Sequence, residues 1–237
     1  MQRPAGVIFD LGDTVLHLDW VSMASGNKRM LEFAENTHGL TTEDIQLFAD
    51  ELSREALQVR DNSMVEYSIQ SFQRLLFENL GISFTISPYE LEREFWDAAV
   101  QYSPSEGIFD VLDTLEKHRI KTAILSNSGF TGTVLEEELV KHNLAHRFSF
   151  LISSIDYVFR KPHSRIFQIA VKKIDLKPQD IWFVGDRLEY DIRGAIDYGL
   201  YPVWYNPEEK PGQIDGAYLE VRSWHEFREK VESLCTR

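Results

Sequence analysis

Near the N-terminus the sequence reads Val7-Ile8-Phe9-Asp10-Leu11-Gly12-Asp13-Thr14, and the fold class is predicted from this segment. Three consecutive apolar residues lead directly into a carboxylate and then into a Gly-Asp-Thr turn. This pattern predicts a buried strand of a parallel sheet that ends at Asp10. Ligands of open α/β sheets bind beyond the carboxyl ends of the strands, so Asp10 is a candidate reactive group. The alternative is an aspartate that only opens a turn.

The composition is that of an acidic globular protein. Of the 237 residues 43% are hydrophobic, and 25 Lys and Arg stand against 38 Asp and Glu, which gives a formal net charge of −13. Such a surface repels nucleic acid and anionic membranes. The single cysteine, Cys235, excludes an internal disulfide, and no Cys/His spacing resembles a zinc site. With no signal peptide or membrane span in the sequence, we expect a cytoplasmic protein that binds neither nucleic acid nor membrane.

A long helical segment follows the first strand. After Thr14 the hydrophobic pattern has helical spacing for about ninety residues, with no convincing strand. The clearest helix start is Ser87-Pro88-Tyr89-Glu90, in which the serine can cap, the proline suits the first helical position and the glutamate can reach back. We therefore expect an inserted all-helical domain over 16–103, and an α/β core made of 1–15 and 104–237.

The rest of the chain alternates between helical and strand patterns. Residues 102–105 are interpreted as the connection back to the core, and the alternation begins at Gly107. Strands are predicted over 121–125, 150–152, 181–184 and 202–204. This alternation predicts an α/β fold with a Rossmann-like parallel sheet that is covered by helices on both faces.

Polar residues follow three of these later elements. Ser126-Asn127-Ser128-Gly129 comes after a strand, where hydroxyls and free backbone amides suit phosphate, although a simple helix cap is the alternative. Lys161 precedes Pro162, which holds it away from helical geometry, although most lone lysines are only solvated. Asp186 and Asp191 lie on either side of a strand-to-helix turn, where both carboxylates could belong to one site. The alternative is that Asp191 only stabilises the helix dipole as a negative charge in the first helical turn.

In order, spacing and strand context, these residues resemble the four motifs of the haloacid dehalogenase-like superfamily, and the resemblance spans nearly the whole chain. It implies that Asp10 is a nucleophile, that Ser126 contacts phosphate and that Lys161 is the third motif. It also implies a magnesium site at Asp186, with Asp191 in support. The helical segment resembles the cap that closes over the site in phosphatase-like members.

The activity that this resemblance implies is a magnesium-dependent phosphatase acting on a small phosphorylated metabolite. Its first product would be an aspartyl-phosphate on Asp10, which is later hydrolysed. The expected catalytic residues are Asp10 and Lys161, and the expected substrate contacts are Ser126, Asn127 and Lys161. The expected ligands of Mg²⁺ are Asp10, the backbone carbonyl of Gly12, Asp186 and Asp191. The cation offsets repulsion between a carboxylate and a phosphoryl group, to which Lys161 adds positive charge.

One position departs from the family pattern. Phosphatases of the family usually carry a second aspartate two residues after the nucleophile, as acid and base, whereas this chain has Gly12 there. Strand alternation puts position 12 on the face of Asp10 and directs Asp13 elsewhere, and the alternative is that the turn re-aims Asp13 towards the substrate as the acid. A positioned acid is typically worth about 10²- to 10⁴-fold, so its loss predicts rates that fall steeply as the pKa of the leaving group rises.

Three alternatives to a phosphatase follow from this departure. Dehalogenases of the family also lack the second aspartate, but they need no metal and usually lose the Gly-Asp motif that this chain keeps. Phosphonate cleavage in the family uses a cap lysine, and Lys28 lies in the helical segment. The third alternative is a phosphate-binding or regulatory protein with little turnover. The missing second aspartate at Gly12 favours it, whereas the intact set of Asp10, Lys161 and Asp186 argues against it.

Overall fold

Six parallel strands form the centre of the part of the chain that the structure describes. The computed structural model describes residues 2–236. The strands are β1 (Gly6–Phe9), β4 (Lys121–Ser126), β5 (Leu151–Ser153), β6 (Ile181–Gly185), β7 (Tyr201–Tyr205) and β8 (Leu219–Val221). They lie in the order β5-β4-β1-β6-β7-β8, so β1 is flanked by β4 and β6. The predicted α/β class with a Rossmann-like parallel sheet is confirmed.

Helices cover both faces of this sheet. On one face lie α5 (Ile108–Lys117), α6 (Gly132–Lys141) and α9 (Trp224–Cys235); on the other lie α7 (Ser164–Ile174) and α8 (Arg193–Tyr198). Strand β1 serves both cores, because Val7 and Phe9 pack among the first set of helices and Ile8 packs among the second. All three side chains are fully buried, which explains the continuous apolar run. No helix within residues 2–236 combines the length and the apolar character needed to cross a membrane.

Four helices between β1 and α5 form the helical insertion. They are α1 (Met23–Leu31), α2 (Thr42–Ser63), α3 (Ile69–Asn79) and α4 (Pro88–Ala99). The predicted start of α4 is confirmed, since Ser87 and Glu90 form a reciprocal capping box and Pro88 takes the first turn. Met30, Leu76 and Phe95 belong to a separate apolar cluster inside this insertion.

The segment 16–103 is helical in its interior but differs from the prediction at both ends. Strands β2 (Leu16–Val21) and β3 (Val100–Pro104) pair antiparallel, so the residues interpreted as a plain connection are part of a two-stranded ribbon. Only Leu16 of β2 is fully buried, so the ribbon lacks the apolar run that marks the core strands. Strand β8 was also missed, because its sequence Leu-Glu-Val has no apolar run and only Val221 in it is buried.

Helix α4 attaches the insertion to the core through a buried carboxyl group. Glu92 is fully buried and accepts hydrogen bonds from the Thr131 backbone N–H (2.7 Å) and from the Thr131 hydroxyl (3.1 Å). Its Oε2 also accepts from the Gln70 side chain at 2.7 Å. Thr131 is the residue before α6, so a glutamate of the insertion satisfies a free N–H at the start of a core helix.

We expect Glu92→Ala to lower the free energy of unfolding by roughly 2 kcal/mol, because it leaves half-buried donors of Thr131 and Gln70 without their acceptor. Glu92→Gln keeps the volume and one acceptor oxygen, so its loss should be clearly smaller. Urea unfolding of the native chain and the two variants measures both changes. Equal losses for the two variants would show that the hydrogen bonds do not account for the effect.

Candidate active site

The carboxyl ends of three neighbouring strands bring the predicted residues together. Asp10 follows β1, Ser126 ends β4 and Asp186 follows β6, and the backbone N–H of Asp10 donates to the Val184 carbonyl at 2.8 Å. These residues line a cavity of about 390 Å³ between the sheet edge and the helical insertion. Its place beyond the strand ends is where open α/β sheets bind ligands.

Lys161 is the charged centre of this cavity. Its ammonium nitrogen lies 2.6 Å from Oδ1 of Asp10 and 2.6 Å from Oδ1 of Asp191, and only 2% of the residue is exposed. Asn127 fixes the lysine backbone, since its Oδ1 accepts from the Lys161 N–H at 2.7 Å and its amide donates to the Lys161 carbonyl at 3.0 Å. The amide predicted to contact substrate is therefore engaged in holding Lys161.

A cluster of three carboxylates surrounds the lysine. One oxygen from each of Asp10, Asp186 and Asp191 lies within 4.8 Å of the others. Asp191 belongs to a π turn ahead of α8, and its Oδ2 accepts from the Arg187 N–H at 3.0 Å. A Cβ at Gly185 would lie 2.4 Å from the Asp191 carboxyl group, so only glycine allows this side chain to fold back against the strand end.

The pKa values in the cluster follow from burial and mutual repulsion. Burial raises the pKa of Asp10 to about 6, against the opposing effect of Lys161. Burial, together with the charges of Asp10 and Asp191, raises the pKa of Asp186 to about 8. Burial alone would lower the pKa of Lys161, but Asp10 and Asp191 outweigh it and raise that pKa. Lys161 therefore stays protonated, whereas ionisation of each carboxyl group disfavours ionisation of the others.

Two residues that the sequence left open lie away from the centre of the cavity. Asp13 has a left-handed backbone (φ 53°), and its Oδ1 accepts from the Leu18 N–H at 3.2 Å while facing His17 Nδ1 at 3.7 Å. Its half-exposed carboxylate is thus directed to β2, at the cavity edge. Lys28 is exposed on α1 and is not among the residues that line the cavity.

Two cavity residues were missed by the sequence analysis. Arg160 is buried, and its guanidinium lies 3.7 Å from Oε2 of Glu66 and 3.6 Å from Oδ1 of Asp61, both in the insertion. Its position next to Lys161 in the sequence was the only indication that it belongs to the site. Tyr102 comes from β3, and burial and the nearby carboxylates raise its pKa well above the usual range for tyrosine. No sequence pattern pointed to Tyr102, because the strand that carries it was not recognised.

The cluster fits a hard divalent cation. Three carboxyl groups face a single buried ammonium group, so their full ionisation leaves negative charge in excess, which a cation would balance. Burial first, and then the neighbouring carboxylates, raise the pKa values of Asp10 and Asp186. Carboxylate and carbonyl oxygens are the ligands that Mg²⁺ prefers in proteins. Asp10, Asp186 and Asp191, with the neighbouring carbonyl of Gly12, are the groups available to hold it.

The fold and this cluster define a Rossmann-like α/β protein with a candidate cation site at the carboxyl edge of its sheet. The chain belongs to the haloacid dehalogenase-like hydrolase family, whose sequence profile matches residues 7–204. The family assignment made from the four motifs is therefore confirmed.

Relatives of the chain include proteins of different activity. It is 26% identical over 227 residues to pyrimidine 5′-nucleotidase YjjG of Escherichia coli, covering 94% of this chain and 96% of that one. It is 35% identical over 106 residues to the phosphoserine phosphatase of Thermus thermophilus, where it spans only 42% of that protein. The solved 2-haloacid dehalogenase of Pseudomonas syringae shares the fold with a TM-score of 0.68, at 20% identity, over 98% of this chain and 99% of that one.

We predict that the metal-free protein becomes less stable as pH rises from 6 to 8. In the unfolded chain aspartate ionises near pH 4, whereas folded Asp186 keeps its proton up to about pH 8. The folded state therefore binds more protons in this window, and its stability falls by up to roughly 1 kcal/mol per pH unit. Urea unfolding in a chelator across this range measures the slope.

Asp186→Asn should remove most of that slope, because the amide does not titrate. Glu189→Gln is the matched control, since this exposed acid lies three residues away and should leave the slope unchanged. A slope that persists in Asp186→Asn would mean that another group titrates in this window.

Proposed function

We propose that the chain is a magnesium-dependent phosphatase that hydrolyses a small phosphorylated metabolite. The observation that carries this proposal is the ammonium group of Lys161, held 2.6 Å from Asp10 beside two further carboxylates at the strand ends. This arrangement joins a nucleophile to a fixed positive charge and to a set of hard oxygen ligands. The similarity to a nucleotidase and a phosphatase supports the same reaction class.

The proposed reaction runs through Asp10. Its carboxylate attacks phosphorus while the bond to the leaving oxygen breaks, so that an aspartyl-phosphate forms and water later hydrolyses it. Lys161 balances the charge of the transferring group, and Ser126 with the backbone amides of its turn binds the phosphoryl oxygens. Asn127 contributes by keeping Lys161 in place. Mg²⁺, when bound by the carboxylates, would supply the charge that allows two anions to meet.

The acid cluster also bears on the dehalogenase alternative. A dehalogenase working without a metal would offer an excess of negative charge to an anionic haloacid, which Coulomb repulsion disfavours. The chain also keeps the Gly185-Asp186 pair, a motif that dehalogenases of the family usually lose. The exposed position of Lys28 outside the cavity gives the phosphonatase alternative no support.

The helical insertion is proposed to act as the cap over the site. Trp96 of α4, Met23 of α1 and Val21 of β2 line the cavity opposite the sheet edge, so the insertion would contact the part of the substrate beyond the phosphate. A small substrate in the cytoplasm is part of this proposal, supported by the size of the cavity, about 390 Å³, the single cysteine and the acidic composition.

Turnover of p-nitrophenyl phosphate with and without Mg²⁺ tests the proposal. We expect phosphate release that requires the metal, and no chloride release from 2-chloropropionate under the same conditions. Chloride release without phosphate release would favour the dehalogenase. No turnover of either substrate, with phosphate still bound, would favour the regulatory protein.

Asp10→Asn should lower kcat on p-nitrophenyl phosphate by at least about 10³-fold, because the amide is not a nucleophile although it has nearly the same volume. Asp197→Asn, a change on the exposed surface of α8, is the matched control and should keep full activity. Circular dichroism establishes that both variants are folded. Activity of Asp10→Asn within tenfold of the native rate would remove Asp10 as the nucleophile.

Asp186→Ala should weaken Mg²⁺ binding at least tenfold, since it deletes a hard oxygen ligand from the cluster. Titration calorimetry with MgCl₂ measures this directly, without depending on turnover. Glu189→Ala removes an exposed acid from the same turn and should leave the affinity unchanged. Equal affinities in all three proteins would exclude Asp186 from the metal site.

A further inference from the structure

The side of Gly12 that faces the cavity is covered by a hydroxyl group from the ribbon. A Cβ built on Gly12 would lie 3.3 Å from the Tyr102 hydroxyl oxygen, and apart from Leu11 and Asp13 no other described residue comes within 4 Å of it. Both residues line the cavity with Asp10 and Lys161. A polar group from β3 therefore occupies the space into which a side chain at position 12 would extend.

The ring that carries this hydroxyl is held from two sides. Tyr102 pairs with Leu18 in the ribbon and stacks on Trp96, with ring centroids 5.8 Å apart and an interplanar angle of 25°. Trp96 is itself fixed, because its indole N–H donates to Oε2 of Glu138 on α6 at 2.9 Å. The hydroxyl is thus placed by contacts to the insertion and, through Trp96, to the core.

Three other polar side chains near this point are already engaged. Lys161 is shared between Asp10 and Asp191, the Trp96 N–H is bound to Glu138, and Asp13 accepts from the Leu18 N–H. A phenol is neutral at physiological pH and carries one donor. Beside several carboxylates, it can donate to an oxygen that gains negative charge without adding to the repulsion.

We propose that the Tyr102 hydroxyl donates a hydrogen bond to the leaving-group oxygen of the phosphate ester, in place of the acid missing at Gly12. This inference rests on the proposed phosphatase reaction. It names a catalytic residue that comes from the ribbon rather than from the nucleophile turn. Its effect is greatest for alkyl esters, whose leaving oxygen develops the most negative charge.

Tyr102→Phe tests the proposal, because it deletes the hydroxyl and keeps the ring that stacks on Trp96. We expect kcat for alkyl phosphates to fall by about 10- to 100-fold and kcat for p-nitrophenyl phosphate by less than about threefold. Tyr89→Phe is the matched control, since its hydroxyl donates to Glu137 Oε1 at the surface between α4 and α6. That control should leave the ratio of alkyl to aryl rates unchanged.

Gly12→Asp provides an independent test of the shared space. In the native background the new side chain is crowded by the Tyr102 hydroxyl, so we expect activity to fall. In Tyr102→Phe the space is free, and Gly12→Asp should restore alkyl phosphate turnover at least fivefold relative to Tyr102→Phe alone. If Gly12→Asp lowers activity in the native chain but raises it in Tyr102→Phe, the two side chains compete for the same position.

The outcomes separate this inference from the phosphatase proposal. No turnover of any phosphate ester by the native chain would overturn both. Native turnover with an unchanged alkyl-to-aryl ratio in Tyr102→Phe would overturn the role of Tyr102 alone. An equal loss on alkyl and aryl esters would do the same, because it would assign Tyr102 a packing role.

Discussion

The ammonium group of Lys161, shared by Asp10 and Asp191, is the interaction on which the functional edge of the sheet depends. Each of these residues is at least nine-tenths buried, and a buried charge without a partner is costly by several kcal/mol. The three groups therefore require one another. Two supporting features follow from this requirement: the Asn127 amide holds the lysine backbone, and Gly185 leaves room for the Asp191 carboxyl group.

The parts of the site that lie on the core strands could be predicted from the sequence. The apolar runs of β1, β4 and β6 are fully buried, so they stand out in the hydrophobic pattern, and the residues after them are Asp10, Asn127 and Asp186. Parallel strands end at one edge of a sheet, so three separate sequence positions map to one place in space. Lys161 was recognised through the family motif and not through any periodicity.

What the sequence could not provide are contacts between distant segments. The half-exposed ribbon has no apolar run, so neither β2 nor the tyrosine on β3 could be recognised. Asn127 hydrogen-bonds to the backbone of Lys161, 34 residues away, and Glu92 hydrogen-bonds to Thr131 at the start of a core helix, 39 residues away. Hydrophobic periodicity describes one element at a time, and these hydrogen bonds join elements that only the folded chain brings together.

The paired ribbon has a consequence for how this architecture can diversify. Leu16 pairs with Pro104, so the polypeptide leaves the sheet domain and returns to it at adjacent points. Helices between these points can be lengthened, exchanged or lost without displacing the strand that carries Asp10. Tyr102 lies on the ribbon and would remain when the helices change. Changes in the helices can therefore reshape one wall of the cavity while the ribbon and the sheet edge stay in place.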